Sequence, residues 1–211
     1  MQTSPRDDGD HPYAAVLVAA SAGGLQGLEV ILGGLAATFP VPVLVAQHLN
    51  RAGGTRIVPI LSRATALPVK LAEDGERAQP GTVYIAPPDH HLCVQTDWTL
   101  SLSREHRVNY ARPAADPLFE SAAQVDGPVI GCVLTGADSD GAEGVKAVKK
   151  HGGAVLVQDP ETAEFRGMPR SAIDTGQVDY VLPVSAIGPA ITKILQGDAE
   201  GVAELGTRPS A

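Results

Sequence analysis

Three residues able to carry out acyl-transfer chemistry follow three separate apolar runs. Ser21 follows Val16-Leu17-Val18-Ala19-Ala20, and His48 follows Val43-Leu44-Val45-Ala46-Gln47. Asp140 lies in the polar stretch after Val129-Ile130-Gly131-Cys132-Val133-Leu134. A serine hydroxyl attacks a carbonyl, a histidine takes its proton, and a carboxylate fixes the histidine tautomer and stabilises the imidazolium. Each residue alone has a plainer reading. Serine before a helix is an ordinary N-cap, and so is aspartate. A histidine at a strand end is ordinarily a surface residue. Together, at the tips of parallel strands, the three can converge on one edge of a sheet.

The turn after Ser21 admits three readings. The first is a serine capping the helix that starts near Leu25, since Leu25, Leu28, Ile31, Leu32 and Leu35 keep helical spacing. The second is dinucleotide binding. The G-x-G-x-x-G fingerprint fails at its first position, which is Ala22, and Gln47 and His48 stand where an acidic residue should end the next strand. The third is a nucleophile turn, because Ala19-Ala20-Ser21-Ala22-Gly23 nearly matches G-x-S-x-G. Backbone N–H groups around Ala22, Gly23 or Ala137 are then the candidates for holding an oxyanion.

The elements that must carry these residues alternate between strand and helix. Short apolar runs at Ala14–Ala20, Pro42–Ala46, Gly127–Leu134 and Ala154–Gln158 predict strands buried on both faces. Shorter strands are expected at Pro68–Leu71, Thr82–Ala86 and Asp179–Leu182. A hairpin is expected from His91–Gln95 and Thr99–Ser103 around Asp97-Trp98. Helices are expected after Leu25, over Thr55–Arg63, from a cap at Asp116, over Asp140–Lys150, Pro169–Thr175 and Ser185–Leu195. The implied class is α/β: a three-layer, doubly wound, mostly parallel sheet with an antiparallel hairpin insertion. Residues 1–13 read as a disordered acidic lead, 14–196 as one catalytic domain and 197–211 as a frayed tail.

Composition narrows the function. The 211 residues are 44% hydrophobic and 19% charged, which suits one globular domain with a full core. A net charge of −8 disfavours nucleic acid and anionic membranes as partners. No apolar run approaches the ~20 residues of a membrane span, and no signal pattern opens the chain, so a cytoplasmic protein is expected. Cys93 and Cys132 lie in strand-like runs and read as small buried hydrophobes, not a disulfide. Asp89-His90-His91 is a poor start for a metal site, because adjacent histidines on a strand point to opposite faces. Arg112 reads as a structural loop residue or as a carboxyl binder. Gly167-Met168-Pro169 reads as a site-lining loop or as a rigid turn into a helix.

Several segments, in order, resemble the catalytic domain of the chemotaxis-type protein-glutamate methylesterases (CheB). They are Ala20-Ser21-Ala22-Gly23-Gly24, Val45-Ala46-Gln47-His48-Leu49 and Asp74-Gly75-Glu76, then the block Gly81 to Leu92 with Tyr84-Ile85-Ala86-Pro87. Arg112-Pro113-Ala114-Ala115-Asp116, Leu134-Thr135-Gly136, Asp140-Gly141-Ala142-Glu143-Gly144, Gln158-Asp159 and Gly167-Met168-Pro169 complete the match. The resemblance implies Ser21 as nucleophile, His48 as base and Asp140 as orienting acid. It also implies a substrate-facing region formed by Ala22, Gly23, Ala137 and Met168. The implied reaction hydrolyses glutamate methyl esters on chemoreceptor-like helices, and deamidates certain glutamines, without metal or organic cofactor. The implied partner is a methylated chemoreceptor or receptor-like helical protein. An esterase or amidase with another substrate, or a non-catalytic helix-binding scaffold, are the alternatives.

The chain departs from the family pattern at three places. Ala22 stands where threonine is usual, and Ala137-Asp138 stands where Met-Gly is usual. Asp138 is therefore expected to be a tolerated, solvated charge. The family commonly carries an N-terminal receiver domain whose phosphorylation uncovers the site. Only residues 1–13 precede the first strand here, so the site is expected to be open and insensitive to phosphodonors.

Overall fold

The apolar runs form strands that bury both faces, and period-two alternation divides each of them between two cores. The structure, a computed structural model, describes residues 11–49 and 54–206. In chain order the elements begin with β1 (Ala15–Ala20), α1 (Gly24–Gly33), β2 (Val43–Gln47), α2 (Gly54–Ala64), β3 (Val69–Leu71) and β4 (Val83–Ile85). The hairpin β5 (His91–Val94) and β6 (Leu100–Ser103) follows, then α3 (Ala115–Ala123), β7 (Val129–Val133), α4 (Ala142–Lys150) and β8 (Ala154–Gln158). The chain continues through α5 (Gly167–Asp174), β9 (Tyr180–Leu182), α6 (Val184–Leu195) and α7 (Ala199–Ala203).

Seven strands form one sheet in the order β3-β4-β2-β1-β7-β8-β9, and neighbouring strands in it run parallel. The pair β5-β6 is antiparallel and lies outside that sheet. Val16, Val18 and Ala20 of β1 join one core with Leu28 and Ile31 of α1 and Ile187 and Ile191 of α6. Ala15, Leu17 and Ala19 join the other with Leu118 and Phe119 of α3, Val145 of α4 and Leu92 of β5. The expected class is therefore the observed one. Strand succession reverses at β1, with β2 on one side and β7 on the other, so the switch point opens between the tips of β1 and β7. No helix among the described residues is long and apolar enough to cross a membrane.

Two expectations about element ends are corrected. Asp116 does not cap its own helix: α3 already begins at Ala115, with Ala114 extended before it. The stretch after Gly197, expected to be frayed, contains α7. The Asp198 carboxylate accepts from the Gly201 N–H and pairs with Lys193 at 2.9 Å, and Val202 is fully buried. With only Val202 and Leu205 as larger apolar residues, the run is too short to show a period. Residues 1–10 of the expected lead and 207–211 of the tail lie outside the described residues.

Phe119 joins α3 to its neighbours. The side chain is fully buried, and methyl groups at Gly131 of β7 and Gly144 of α4 would approach its ring to 3.2 and 3.0 Å. Truncation to alanine leaves a cavity between two helices and a strand. Phe119→Ala is expected to lower stability by about 3–5 kcal/mol, read as a fall in Tm of roughly 6–20 °C for a domain of this size.

Candidate active site

Ser21 extends the tip of β1. Its N–H donates to the Thr135 carbonyl beyond β7, and its own carbonyl accepts from Gly24 as α1 begins. The left-handed residue of the turn is Gly23 (φ 73°), not the serine, so the near match to G-x-S-x-G does not carry that motif's strained serine. A side chain at Gly23 would also collide with the Glu164 carboxylate. The capping reading of Ser21 fails, because α1 has no side-chain cap. The hydroxyl instead lies 3.0 Å from Nδ1 of His48.

His48 follows β2, the neighbour of β1, and its N–H donates to the Ala20 carbonyl. On the other side of the ring, Nε2 lies 2.7 Å from Oδ2 of Asp140. An ionised carboxylate only accepts, so Nε2 carries the proton and Nδ1 of the neutral ring faces the serine. The order serine–imidazole–carboxylate is that of a nucleophile, its base and an orienting acid.

Asp140 is fully buried, and the way it is held was not legible from its own loop. Its oxygens accept from the N–H groups of Ala115 (2.5 Å), Asp116 (3.1 Å) and Gly141 (3.1 Å). The first two belong to the opening turn of α3, so Asp140 caps that helix and not the one it precedes. Asp116 returns the bond, accepting from Gly144 in the first turn of α4 at 2.8 Å. The two helices thus exchange acidic caps, each carboxylate sitting at the positive end of the other's helix. Burial, with the neighbouring Asp140 charge adding to it, pushes the Asp116 carboxyl up to about 7.

Gln47 ties the Ser21 and His48 backbones to each other. Its Nε2 donates to the carbonyls of Ser21 (2.8 Å) and His48 (3.2 Å), while Oε1, packed against Gly24, finds no partner among the described residues. Gln158 does the same work at β8. Its Oε1 accepts from Thr135, and its Nε2 reaches the Thr162 carbonyl. The Thr135 hydroxyl then ties Ala22 to Phe165, so the loop after β8 is bound to the Ser21 turn.

The N–H groups of Ala22, Gly23 and Ala137 donate to no acceptor among the described residues. Ala137 is exposed, and Ala22 and Gly23 are half-buried. Met168 is different: it is fully buried, with its N–H on the Gly136 carbonyl. Gly136 has no room for a side chain, because a methyl group there would strike the Met168 sulfur and come within 2.9 Å of the Ser21 Cβ. Met168 therefore backs the Ser21 turn from the core side. A cavity of about 500 Å³ opens at the opposite strand edge, beside Tyr13, Arg77 and Trp98, and none of Ser21, His48 or Asp140 lines it.

The remaining polar landmarks are structural. Arg112 pairs with Asp89 at 2.7 Å and donates to the carbonyls of Arg104 and Glu105. His91 is buried between the Ala114 N–H and the His106 carbonyl. Cys93 and Cys132 are both free thiols.

Asp138 corrects an expectation. It is only 35% exposed, and its Oδ2 stands 3.4 Å from Nδ1 of His48, the nitrogen that also faces Ser21. Its Oδ1 accepts from the Asp140 N–H at 3.0 Å, which turns it inward instead of leaving it solvated. Burial of the ring opposes a charge on His48, but hydrogen bonds to Asp138 and Asp140 outweigh it and push the imidazole up to about 9. Burial likewise opposes the charge on Asp138, yet His48 and the loop N–H hold its carboxyl below the usual range.

With this geometry in hand, comparison with known proteins is direct. The model of the CheB methylesterase family matches residues 16–191. A relative from Leptospira interrogans is 41% identical over 189 residues, covering 89% of this chain and 98% of that protein. A Caulobacter vibrioides protein named protein-glutamate methylesterase/protein-glutamine glutaminase 2 is 38% identical over 89% of this chain, which spans 55% of that protein. The crystal structure of the Thermotoga maritima CheB methylesterase catalytic domain superposes with a TM-score of 0.82 at 36% identity, covering 87% of this chain and 98% of that one. This chain belongs to the CheB methylesterase family of carboxylic ester hydrolases.

Proposed function

We propose that this protein is a serine hydrolase that cleaves glutamate methyl esters on chemoreceptor-like helices, and deamidates glutamine at such sites, with Ser21, His48 and Asp140 as its triad. The observation that carries this reading is the unbroken chain from Ser21 Oγ through both nitrogens of His48 to a buried carboxylate, at 3.0 and 2.7 Å. Ser21 Oγ attacks the glutamyl carbonyl while its proton passes to Nδ1 of His48. The imidazolium, stabilised by Asp140, returns that proton to the departing methoxide, and methanol leaves an acyl-serine. A water, deprotonated by the same nitrogen, attacks the acyl carbon and releases the glutamate carboxylate. For a glutamine side chain the leaving group is ammonia.

The N–H groups of Ala22, Gly23 and Ala137, which meet no acceptor among the described residues, are the donors available to the developing oxyanion. Ser21 lies at a sheet edge and outside the nearby-sized cavity at the far end of the strands, which suits an ester presented on the surface of another protein. No step calls on a metal or an organic cofactor.

Methanol release from methylated receptor helices tests this reading. Ser21→Ala is expected to abolish turnover by about a thousandfold or more with Tm preserved, and His48→Ala to do nearly the same because the members act as a unit. Asp140→Asn, which keeps an acceptor for the α3 amides, is expected to lose about a thousandfold in kcat. Retention of a tenth of the activity in Ser21→Ala or His48→Ala would remove the triad.

Gln47 gives an independent check. Gln47→Leu removes both bonds that hold the Ser21 and His48 carbonyls. It is expected to lower kcat by roughly ten- to a hundredfold while KM stays within about threefold. Unchanged kcat would mean that strand pairing alone sets the distance between nucleophile and base.

A further inference from the structure

We propose that Asp138 is a positioning residue that competes with Ser21 for Nδ1 of His48, holds the resting base in its charged form, and thereby confines this enzyme's activity to alkaline conditions. The proposal rests on the triad reading above. Nδ1 has two partners, the Ser21 hydroxyl at 3.0 Å and the Asp138 carboxylate at 3.4 Å, while Nε2 is committed to Asp140 at 2.7 Å. A neutral ring has one N–H and satisfies one carboxylate, leaving its lone pair directed toward the oxygens of the other. A doubly protonated ring satisfies both. The arrangement carboxylate–imidazole–carboxylate therefore favours the imidazolium, which cannot accept the serine proton.

Among the described residues no positive group acts on the ring to oppose this. The β7–α4 loop contributes both Asp138 and Asp140. The β1 tip contributes a neutral hydroxyl, and β2 the neutral amide of Gln47. From α3, the Asp116 carboxyl lies behind Asp140 and carries the same sign. Among the described residues no lysine or arginine pairs with the site's carboxylates. The upward shift of the imidazole agrees with the geometry. Asp138 is also held in place, because its second oxygen accepts from the Asp140 N–H. It cannot rotate away without giving up that bond.

Asp138→Asn is close to isosteric and keeps the oxygen for the Asp140 N–H. The test follows two readouts in the intact protein. The first is the NMR titration of the His48 ring, assigned by its loss in His48→Gln. The second is the rate of labelling by a fluorophosphonate, from pH 6 to 10. In the wild type both are expected to rise with loss of the ring proton, through about 9. In Asp138→Asn both midpoints are expected to fall by about one pH unit or more, which makes labelling near pH 7 roughly tenfold faster than wild type. At pH 10 the two rates are expected to converge. Coincident ring midpoints in the two proteins overturn the proposal, as does slower labelling of Asp138→Asn at pH 7 with a preserved Tm. If neither protein labels but the ring midpoints still separate, the charge role of Asp138 stands and the triad reading fails.

Discussion

The site depends on keeping one charge out of water. The Asp140 carboxylate is fully buried, and an isolated ion in such a place costs several kcal/mol unless donors surround it. Three backbone N–H groups and the His48 ring supply them. Two of those amides are the opening turn of α3, so the charge beside the His48 ring also sets where that helix begins. Asp116 repeats the arrangement in the other direction on α4. Because each helix is capped by a residue tied to the other, α3 and α4 cannot shift independently. Phe119, wedged between Gly131 and Gly144, fixes their separation from the sheet. The packing of one whole layer thus converges on the position of a single carboxylate oxygen.

Much of this was legible in the chain. Strands buried on both faces give apolar runs with abrupt polar ends, and β1, β2, β7 and β8 were located within a residue or two for that reason. The tips of adjacent parallel strands lie on one edge, so a serine, a histidine and an aspartate at three such tips had a reason to meet. The source of Asp140's donors was not legible. Helix caps were read locally, each from the residue just before its own helix, whereas the actual donors come from an element 25 residues earlier in the chain. Asp138 was misjudged for a related reason. Its exposure follows from the inward turn made by its bond to the Asp140 N–H, and a two-residue Asx contact leaves no periodic trace. Gln47 and Gln158 could have been flagged, since a glutamine closing a buried apolar strand must spend its amide on nearby backbone.

Those two glutamines show what such an edge requires beyond the reacting groups. Strand tips lose their ladder partners where the sheet ends, so their carbonyls and N–H groups need other satisfaction. A side-chain amide answers this at little volume cost and spans two strands. Gln47 joins the tips of β1 and β2 through the carbonyls of Ser21 and His48. Gln158 joins β7 to the loop beyond β8, and Thr135 carries that link back to Ala22. Backbone rigidity at Ser21 and His48 therefore comes from neutral hydrogen bonds, which leave the electrostatics of the ring to the carboxylates alone.

The imidazole has two sides under different constraints. On the Nε2 side, any change at Asp140 disturbs two helix starts and a buried charge, so little there can vary without loss of fold. On the Nδ1 side lie Ser21 and Asp138, and these two, like the adjoining Ala22 and Ala137, keep part of their surface exposed. All three departures from the family's usual pattern fall on this second side. A charge is held there at small structural cost, because the Asp138 carboxylate keeps part of its surface exposed and accepts from the Asp140 N–H. Such a charge acts strongly on His48, since the ring is itself mostly buried and, among the described residues, pairs with carboxylates alone. The fold thus separates the Asp140 side of the imidazole, on which two helix starts depend, from the Ser21 side, where substitution costs the fold little.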